Sequence, residues 1–291
     1  MLDGDYVVAV LGAGTMGVGI AVTVVRAGHR VRLVDTSRER AAAGASSVVA
    51  YLDERLRRGR LTERARDDAV ARLEPRGSVA ELCAESGIGV VIEAVPEDIE
   101  LKARVLTEVE DGCGPDLLVH TNTSTLSVTA IAGRLRRPHN VVGTHFCNPA
   151  PVMPLVEVAP GLQTDDRALY RTVEFVRGLG KEPVVLRDTP GLLTNFLLVP
   201  FENDCLRALE AGWGTVEELD VAVTAGIGFP IGVFRLLDIV GLDVHRAVSL
   251  SLYDQHRDRR FSPPPLVDRM IAAGRLGKKT GVGFYTYEER S

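Results

Sequence analysis

The chain has 291 residues, more than a single hydrophobic core usually holds, so its length predicts one large domain or two unequal ones. Its residues are 45% hydrophobic and 25% charged, and a net charge of -5 gives no electrostatic reason to expect a nucleic-acid partner. No apolar run approaches the ~18 residues of a membrane span and the N-terminus carries no signal-type segment, so we expect no membrane partner.

The four cysteines are spread along the chain without any C-x-x-C pair: Cys83, Cys113, Cys147 and Cys205. This spacing predicts neither a zinc site nor a disulfide framework. Cysteines without a disulfide spacing suit a reducing compartment, and we expect the protein to be cytoplasmic.

The N-terminal half alternates short apolar runs with helix-like segments. Continuous apolar runs are typical of strands buried on both faces, and their alternation with helices indicates a doubly wound parallel sheet, an α/β fold. The longest predicted helical stretch is the Arg/Glu/Ala-rich segment 38–72. The predicted strands lie at 6–12, 31–35, 89–95, 117–122, 140–145, 155–159 and 183–188.

The pattern changes near Asp188, and almost no strand candidate follows it. Thr215 and Glu218 have the spacing of a capping box, which predicts a helix that reaches about Ala225. The second part of the chain is therefore expected to be helical. The predicted domains are residues 1–188 and 189–291.

The segment GAGTMG at 12–17 follows the first predicted strand and opens a helix. G-x-G-x-x-G is common by itself, but here a second strand ends at Asp35, and these parts together are the fingerprint of a Rossmann dinucleotide-binding fold. The first glycine allows a tight turn, the second lets a pyrophosphate approach the backbone, and the third lets helix and strand pack closely. The residues expected at the phosphates are Gly12, Gly14, Thr15, Met16 and Gly17.

Asp35 is expected to accept hydrogen bonds from the adenosine ribose hydroxyls. Arg38 follows closely and offers a cation to a 2′-phosphate, but the Asp35 carboxylate would repel that phosphate. The sequence therefore favours NAD over NADP.

Polar residues follow the later strands of the predicted sheet. Ligands of a doubly wound fold collect at the carboxyl ends of the strands, and NVVGTH delivers His145 to that edge. Glu157 lies in the apolar run PLVEVAP, where a buried carboxylate needs a partner and a histidine is a natural one. Asn122 and Ser124 end the preceding strand, and Asn195 interrupts an apolar helix. Each residue alone also suits a turn, cap or packing role, so their combination carries the functional hypothesis.

These residues give the chain a resemblance to the L-3-hydroxyacyl-CoA dehydrogenase family over nearly its whole length. The segments that carry it stand in the family's order and spacing: GAGTMG, VIEAVPEDIELK, NTSTLS, GTHFCNPAPVMPLVEV, DTPGLLTN and GKKTGVGFY. The resemblance implies a Rossmann domain followed by an all-α C-terminal domain that forms a homodimer. It also implies NAD as the cofactor and an acyl-CoA thioester of fatty acid metabolism as the substrate.

The resemblance further implies roles for individual residues. The implied active-site set is Ser124, His145, Glu157 and Asn195, with Ser124 and Asn195 at the substrate. The implied cofactor residues besides the glycine loop are Asp35, Glu97, Lys102 and Asn122. Arg58 and Arg60 stand where the family meets phosphates of the CoA carrier, and a solvated helix end is the other interpretation of these two.

The implied chemistry needs these residue types. Oxidation of a secondary alcohol requires a base within reach of the hydroxyl while hydride leaves for the nicotinamide, and histidine suits both directions near neutral pH. His145 is the predicted base, and Glu157 orients its imidazole and stabilises the imidazolium. Ser124 and Asn195 hold the reacting oxygen in place.

Other interpretations remain beside this one. The same chemistry could act on a small hydroxyacyl group held by an acyl carrier protein in a biosynthetic pathway. A catalytically inactive structural homologue would be free to lose its acid and base residues, yet all four are retained. The β-hydroxyacid dehydrogenases are set aside, because they carry a lysine four residues before the asparagine, where this chain has Gly191.

Three positions depart from the family's pattern. Phe196 follows the asparagine where an arginine is usual, Arg235 stands where a glutamate is usual, and Pro154 replaces a common lysine. Joint loss of an arginine and a glutamate is expected if they normally pair, because either one alone would be an uncompensated charge in a buried site. Arg235 then needs another partner. We therefore expect an altered substrate pocket or dimer contact, and a short 3-hydroxyacyl group, apolar or polar, as substrate.

Overall fold

The computed structural model describes residues 6–287. The chain divides into two compact units between Leu192 and Leu193, a few residues beyond the predicted domain boundary. That boundary, after residue 188, stays a prediction.

One sheet of eight strands forms the first unit. They are β1 (Val7–Leu11), β2 (Arg30–Val34), β3 (Leu73–Arg76), β4 (Ile88–Glu93), β5 (Leu118–Thr121), β6 (Val141–Phe146), β7 (Leu155–Pro160) and β8 (Glu182–Val185). Their order is β3-β2-β1-β4-β5-β6-β7-β8, and each neighbouring pair is parallel except β6 with β7. This confirms the predicted doubly wound sheet, whose order changes direction between β1 and β4, the place where such folds bind ligands.

Seven α-helices accompany the sheet in the described part of the first unit. They are α1 (Thr15–Arg26), α2 (Arg38–Arg57), α3 (Glu63–Ala71), α4 (Val79–Cys83), α5 (Ile99–Gly112), α6 (Val128–Ala132) and α7 (Asp166–Gly178). Strand β1 shows why both faces need cover, because its neighbouring residues point to opposite sides. Val8 and Val10 belong to the core cluster that includes residues of α1 and α7, whereas Ala9 and Leu11 belong to the cluster that includes residues of α5 and α6.

The structure corrects the prediction of one helical stretch over 38–72. Helix α2 ends at Arg57, Gly59 adopts a positive φ of 65°, and α3 begins after Thr62, whose side chain accepts a hydrogen bond from the Ala65 N–H. Strand β3 follows and was missed. Its sequence LEPR lacks an apolar run because it is an edge strand, paired only with β2, where a proline is tolerated.

The second unit is helical, as predicted. Its helices are α8 (Leu192–Glu210), α9 (Val216–Val221), α10 (Val233–Val240), α11 (Leu242–His256) and α12 (Pro265–Ala272). The capping box of Thr215 and Glu218 is present at the start of α9. The helix predicted to reach about Ala225 changes its type on the way. The α-helix ends at Val221, and a π-helical segment, Ala222–Ile227, follows it. Across 6–287, no helix has the length and apolar character to cross a membrane.

Candidate active site

The glycine loop between β1 and α1 leaves space for a bound pyrophosphate. Gly12 adopts a φ of 98°, and a Cβ there would lie 2.6 Å from the Ala94 carbonyl oxygen. A Cβ on Gly17 would lie 1.7 Å from the carbonyl oxygen of Gly12, so only glycine lets the helix start this close to the strand. Gly14 instead faces open space, with nothing within 4 Å of an added Cβ. The residues that follow it at the N-terminus of α1 are Thr15 and Met16.

Asp35, directly after β2, is surrounded by hydrogen-bond donors. Its carboxylate accepts from the Ala13 N–H at 2.8 Å and from Arg40 Nε at 2.7 Å. Burial opposes ionisation, but these donors together with Thr36 hold the pKa of Asp35 below its ordinary value. The loop and the end of β2 are thus joined by an ionised carboxylate.

The cation beside Asp35 is Arg40 and not Arg38. Arg38 pairs with Glu81 at 2.8 Å. Sequence reasoning missed Arg40, because the first turn of α2, which begins at Arg38, brings residue 40 back toward the end of β2. The choice between NAD and NADP therefore concerns Asp35 and Arg40.

One oxygen of Glu97 binds the loop that follows β5. Glu97 Oε1 accepts hydrogen bonds from the Thr123 hydroxyl at 2.6 Å, the Ser124 N–H at 3.0 Å and the Thr125 N–H at 2.8 Å. Its other oxygen lies 3.2 Å from Lys102 Nζ. Burial opposes ionisation of Glu97, but the Lys102 charge and the hydrogen bonds from the loop lower its pKa. Glu97 therefore positions the segment that carries Ser124.

The Lys102 ammonium is enclosed by protein acceptors. Nζ lies 2.7 Å from Glu93 Oε1 and 3.2 Å from the Val95 carbonyl oxygen, in addition to Glu97, and the side chain is 1% exposed. Glu93 is fully buried and also accepts from the Thr121 hydroxyl at 2.6 Å. Burial raises the pKa of Glu93 against the lowering effect of Lys102. Three acceptors match the three protons of an ammonium, so Lys102 serves the protein framework. Sequence reasoning missed Glu93, although an acid inside VVIEAV is the same signal that singled out Glu157.

His145 and Glu157 are direct neighbours across the antiparallel pair of β6 and β7. His145 Nδ1 lies 2.7 Å from Glu157 Oε2, with the side chains 13% and 1% exposed. Because the Glu157 carboxylate accepts this hydrogen bond, Nδ1 is the nitrogen that carries the hydrogen when the ring is neutral, and Nε2 then has a free lone pair. Asn122 Oδ1 accepts from the Phe146 N–H at 2.9 Å and so joins the ends of β5 and β6 beside this pair.

Cys147 belongs to the same place. Its sulfur and one ligand atom each of His145 and Glu157 lie within 4.8 Å of one another. Such a trio could hold a metal ion. No C-x-x-C spacing marks these residues in the sequence, because the pairing of β6 with β7 brings them together.

The remaining predicted residues lie elsewhere. Ser124 is half-buried in the loop held by Glu97, and Asn195 lies in the first turn of α8, in the second unit. Arg58 caps the end of α2 and its Nε lies 2.5 Å from Glu54, while Arg60 is exposed in the turn that follows. The functional roles of these residues stay predictions.

Two of the departures from the family's pattern have partners in the second unit. The Arg235 guanidinium lies 4.0 Å from the centre of the Tyr285 ring, a cation–π contact that supplies the partner this arginine needs. Phe196 packs against the rings of His256 and Phe261, at centroid distances of 5.5 Å and 5.6 Å. Phe196 therefore contributes to a small aromatic cluster where an arginine is usual.

Comparison with protein families matches the chain in two adjacent segments. Residues 7–189 match the model of the 3-hydroxyacyl-CoA dehydrogenase NAD binding domain, and residues 191–287 match that of the 3-hydroxyacyl-CoA dehydrogenase C-terminal domain. The two matches together cover almost all of the described residues.

Individual proteins match over the same length. A 3-hydroxybutyryl-CoA dehydrogenase of Mycobacterium tuberculosis is 40% identical over 99% of this chain and 100% of its own. A 3-hydroxyadipyl-CoA dehydrogenase of Escherichia coli is 39% identical over 99% of this chain and 60% of its own. Among solved structures, FadB2 of Mycobacterium tuberculosis superposes with a TM-score of 0.94 at 40% identity, covering 98% of this chain and all of that one.

Proposed function

Because the chain belongs to the 3-hydroxyacyl-CoA dehydrogenase family, we propose that it oxidises an L-3-hydroxyacyl thioester to the 3-oxoacyl thioester with NAD, and catalyses the reverse reaction. The observation that carries the proposal is the His145–Glu157 pair at the carboxyl end of β6, in the same unit as a complete dinucleotide-binding loop. A short acyl chain such as 3-hydroxybutyryl-CoA is the first substrate to test, since relatives with that activity match the full chain.

His145 supplies the acid–base chemistry. Its Nε2 lone pair accepts the proton of the substrate hydroxyl, and in the reverse direction the imidazolium returns it. Glu157 fixes the tautomer through its 2.7 Å contact with Nδ1 and stabilises the imidazolium as it forms. Ser124 and Asn195 are the groups proposed to hold the reacting oxygen.

The residues present fit NAD. The open face of Gly14 and the N-terminus of α1 would hold the pyrophosphate, and Asp35 would hold the adenosine ribose. Glu97, Lys102 and Asn122 would lie on the nicotinamide side, where Glu97 and Lys102 would act by fixing the loop that carries Ser124. NAD supplies the hydride acceptor when it is bound.

The substrate carrier and the polarity of the acyl group need a direct test. The altered positions Phe196, Arg235 and Pro154 are the basis for proposing a short acyl group, and its end is either apolar or polar. The similarity to 3-hydroxybutyryl-CoA and 3-hydroxyadipyl-CoA dehydrogenases makes both ends worth testing, because an adipyl group carries a second carboxylate and a butyryl group does not. Arg58 and Arg60 are the proposed contacts of the CoA phosphates. An acyl carrier protein presents the same phosphopantetheine arm and is the alternative carrier.

The deciding experiment follows NADH formation with L-3-hydroxybutyryl-CoA, longer 3-hydroxyacyl-CoAs, 3-hydroxyadipyl-CoA and short hydroxyacyl groups loaded on an acyl carrier protein. We expect a short CoA ester to have the highest kcat/KM. A preference for long-chain esters would contradict the altered pocket. A preference for the loaded carrier protein would show that the substrate is carried by that protein and not by CoA. Absence of turnover with every thioester would favour the inactive homologue.

We also propose a homodimer in the cytoplasm. Large apolar side chains are exposed on the second unit, including Trp213 at 82% and Leu197, Val221 and Ile227 at 61% each, and apolar surface of this kind is typical of a subunit interface. Light scattering behind a sizing column tests the dimer.

A further inference from the structure

Two cysteines that the proposed reaction does not use lie in contact. Cys83 Sγ and Cys113 Sγ are 3.1 Å apart, and both residues are half-buried. Cys83 ends α4 and Cys113 caps the C-terminus of α5. The chain enters β4 after Cys83 and β5 after Cys113, so the pair lies near the amino ends of these parallel strands. Glu93 and Asn122 stand at the opposite, carboxyl ends.

The packing of α4 on the end of α5 requires a glycine beside this pair. A Cβ on Gly112 would lie 2.4 Å from Cys83 Cβ and 2.6 Å from Cys83 Sγ. Any side chain at 112 would therefore displace Cys83 from its position beside Cys113. Glycine at position 112 thus allows the two sulfurs to stay in contact.

We propose that Cys83 and Cys113 form a redox modification site, which hydroperoxides convert to a disulfide and which thiols reduce again. A disulfide has an S–S distance of about 2.05 Å, so the two sulfurs need to approach by only about 1 Å. One thiolate attacks the O–O bond of the peroxide, which yields a sulfenic acid and releases water or an alcohol. The other thiolate attacks the sulfenic sulfur and expels hydroxide, which leaves as water. Two thiols are oxidised by two electrons in total, and one peroxide is reduced.

The surroundings of Cys113 should lower the rate at which this disulfide forms. Burial and the neighbouring Cys83 thiol raise the pKa of Cys113 to about 12, and the Arg137 guanidinium acts weakly in the opposite direction. The thiolate is the reactive form, so the crosslink forms slowly at neutral pH and faster as the pH rises.

The crosslink would close a loop that contains β4 and α5, and with them Glu93, Glu97 and Lys102. It would restrict the unfolded chain and so stabilise the folded one, as disulfides do. Because the pair lies at the opposite edge from those three side chains, we expect the oxidised protein to keep its activity.

The test treats the full chain with hydrogen peroxide at pH 7 and pH 9 and maps its peptides by mass spectrometry without reduction. We expect a peptide that links Cys83 to Cys113, formed faster at pH 9 and lost on addition of dithiothreitol. We also expect a rise in Tm of about 5 °C and kcat/KM for NAD within about twofold of the reduced protein.

Matched variants separate the pair from general oxidation. Cys205→Ser keeps the linked peptide, whereas Cys83→Ser and Cys113→Ser each lose both the linked peptide and the rise in Tm. Gly112→Ala keeps all thiols but slows the crosslink several-fold. Oxidation of Cys83 or Cys113 to sulfinic acid without a linked peptide would overturn the proposal, as would a rise in Tm that persists in Cys113→Ser.

Discussion

His145 and Glu157 face each other across β6 and β7, the antiparallel strand pair in a sheet whose other described pairs are parallel. Residues directly opposite in an antiparallel pair point to the same face, which is how a short return of the chain brings a base and its carboxylate to 2.7 Å. The catalytic predictions follow from this contact.

Replacement of the proposed base should abolish most of the chemistry. We expect His145→Gln to lower kcat by about 10² to 10⁴-fold, because general acid–base catalysis typically contributes that much. NAD affinity, measured by fluorescence titration, should stay within about twofold, since the glycine loop and Asp35 are untouched. His139→Gln, at an exposed position, is the control and should retain full activity. A loss below tenfold in His145→Gln would reject it as the base.

Glu157 acts through His145, so the two losses should not add. We expect Glu157→Gln to lower kcat by at least about tenfold, and the double variant with His145→Gln to be no slower than His145→Gln alone. Steady-state kinetics of all four combinations measures the coupling. Multiplicative losses would mean that Glu157 has a role independent of the imidazole.

Cofactor preference should depend on Asp35 and its partner. We expect NAD to be used at least tenfold more efficiently than NADP, and Asp35→Ser to reduce that ratio, because the carboxylate repels a 2′-phosphate. Arg40→Ala should raise KM for NAD several-fold, since Arg40 holds the carboxylate at 2.7 Å. Arg38→Ala is the matched control and should change neither value, as Arg38 pairs with Glu81. Equal rates with both cofactors in the unaltered protein would show that Arg40 outweighs Asp35.

Removal of Lys102 from its buried ion pair with Glu93 should lower the free energy of unfolding strongly. Lys102→Met leaves a fully buried carboxylate without its cation, so we expect the free energy of unfolding in urea to fall by about 3–5 kcal/mol. The exposed pair of Glu174 and Arg177 provides the comparison, and Arg177→Met should cost less than about 1 kcal/mol. Similar losses in the two variants would contradict the prediction that buried Glu93 requires its cation.

His120 should make the protein less stable in acid. It is completely buried beside Thr172, and burial together with the Arg171 charge lowers its pKa to about 3. Between that value and the ordinary pKa of histidine, about 6.5, the unfolded chain binds a proton that the folded one does not. Stability should therefore fall as the pH drops from 6.5 toward 3, by up to about 1.4 kcal/mol per pH unit from this residue. Urea unfolding of His120→Leu should show a shallower pH dependence over that range, and an unchanged slope would contradict the prediction.

The sequence predicts well those features that local pattern encodes. The apolar runs predict seven of the strands, and GAGTMG with Asp35 predicts the dinucleotide loop, because backbone conformation and burial at these positions admit few residue types. Pairing of His145 with Glu157 was predictable because Glu157 lies in an apolar run, where it needs a partner, and His145 ends the preceding predicted strand. Strand β3 was not predictable, because an edge strand needs no apolar pattern. The partner of Arg40 was not predictable either, because it depends on where the first turn of α2 places this exposed side chain. Contact of Cys83 with Cys113 depends on the approach of α4 to α5, which no local spacing records.

Glu97, on the proposed nicotinamide side, accepts hydrogen bonds from the loop that carries Ser124, a proposed substrate contact, so one side chain joins the two proposed ligand sites. We therefore expect binding at one site to change the affinity at the other. Whatever factor NAD contributes to the affinity for the acyl thioester, the thioester must contribute to the affinity for NAD, because the free energy of the ternary complex is independent of path. The equilibrium coupling is therefore the same whichever ligand binds first, and a kinetic order of addition does not change it.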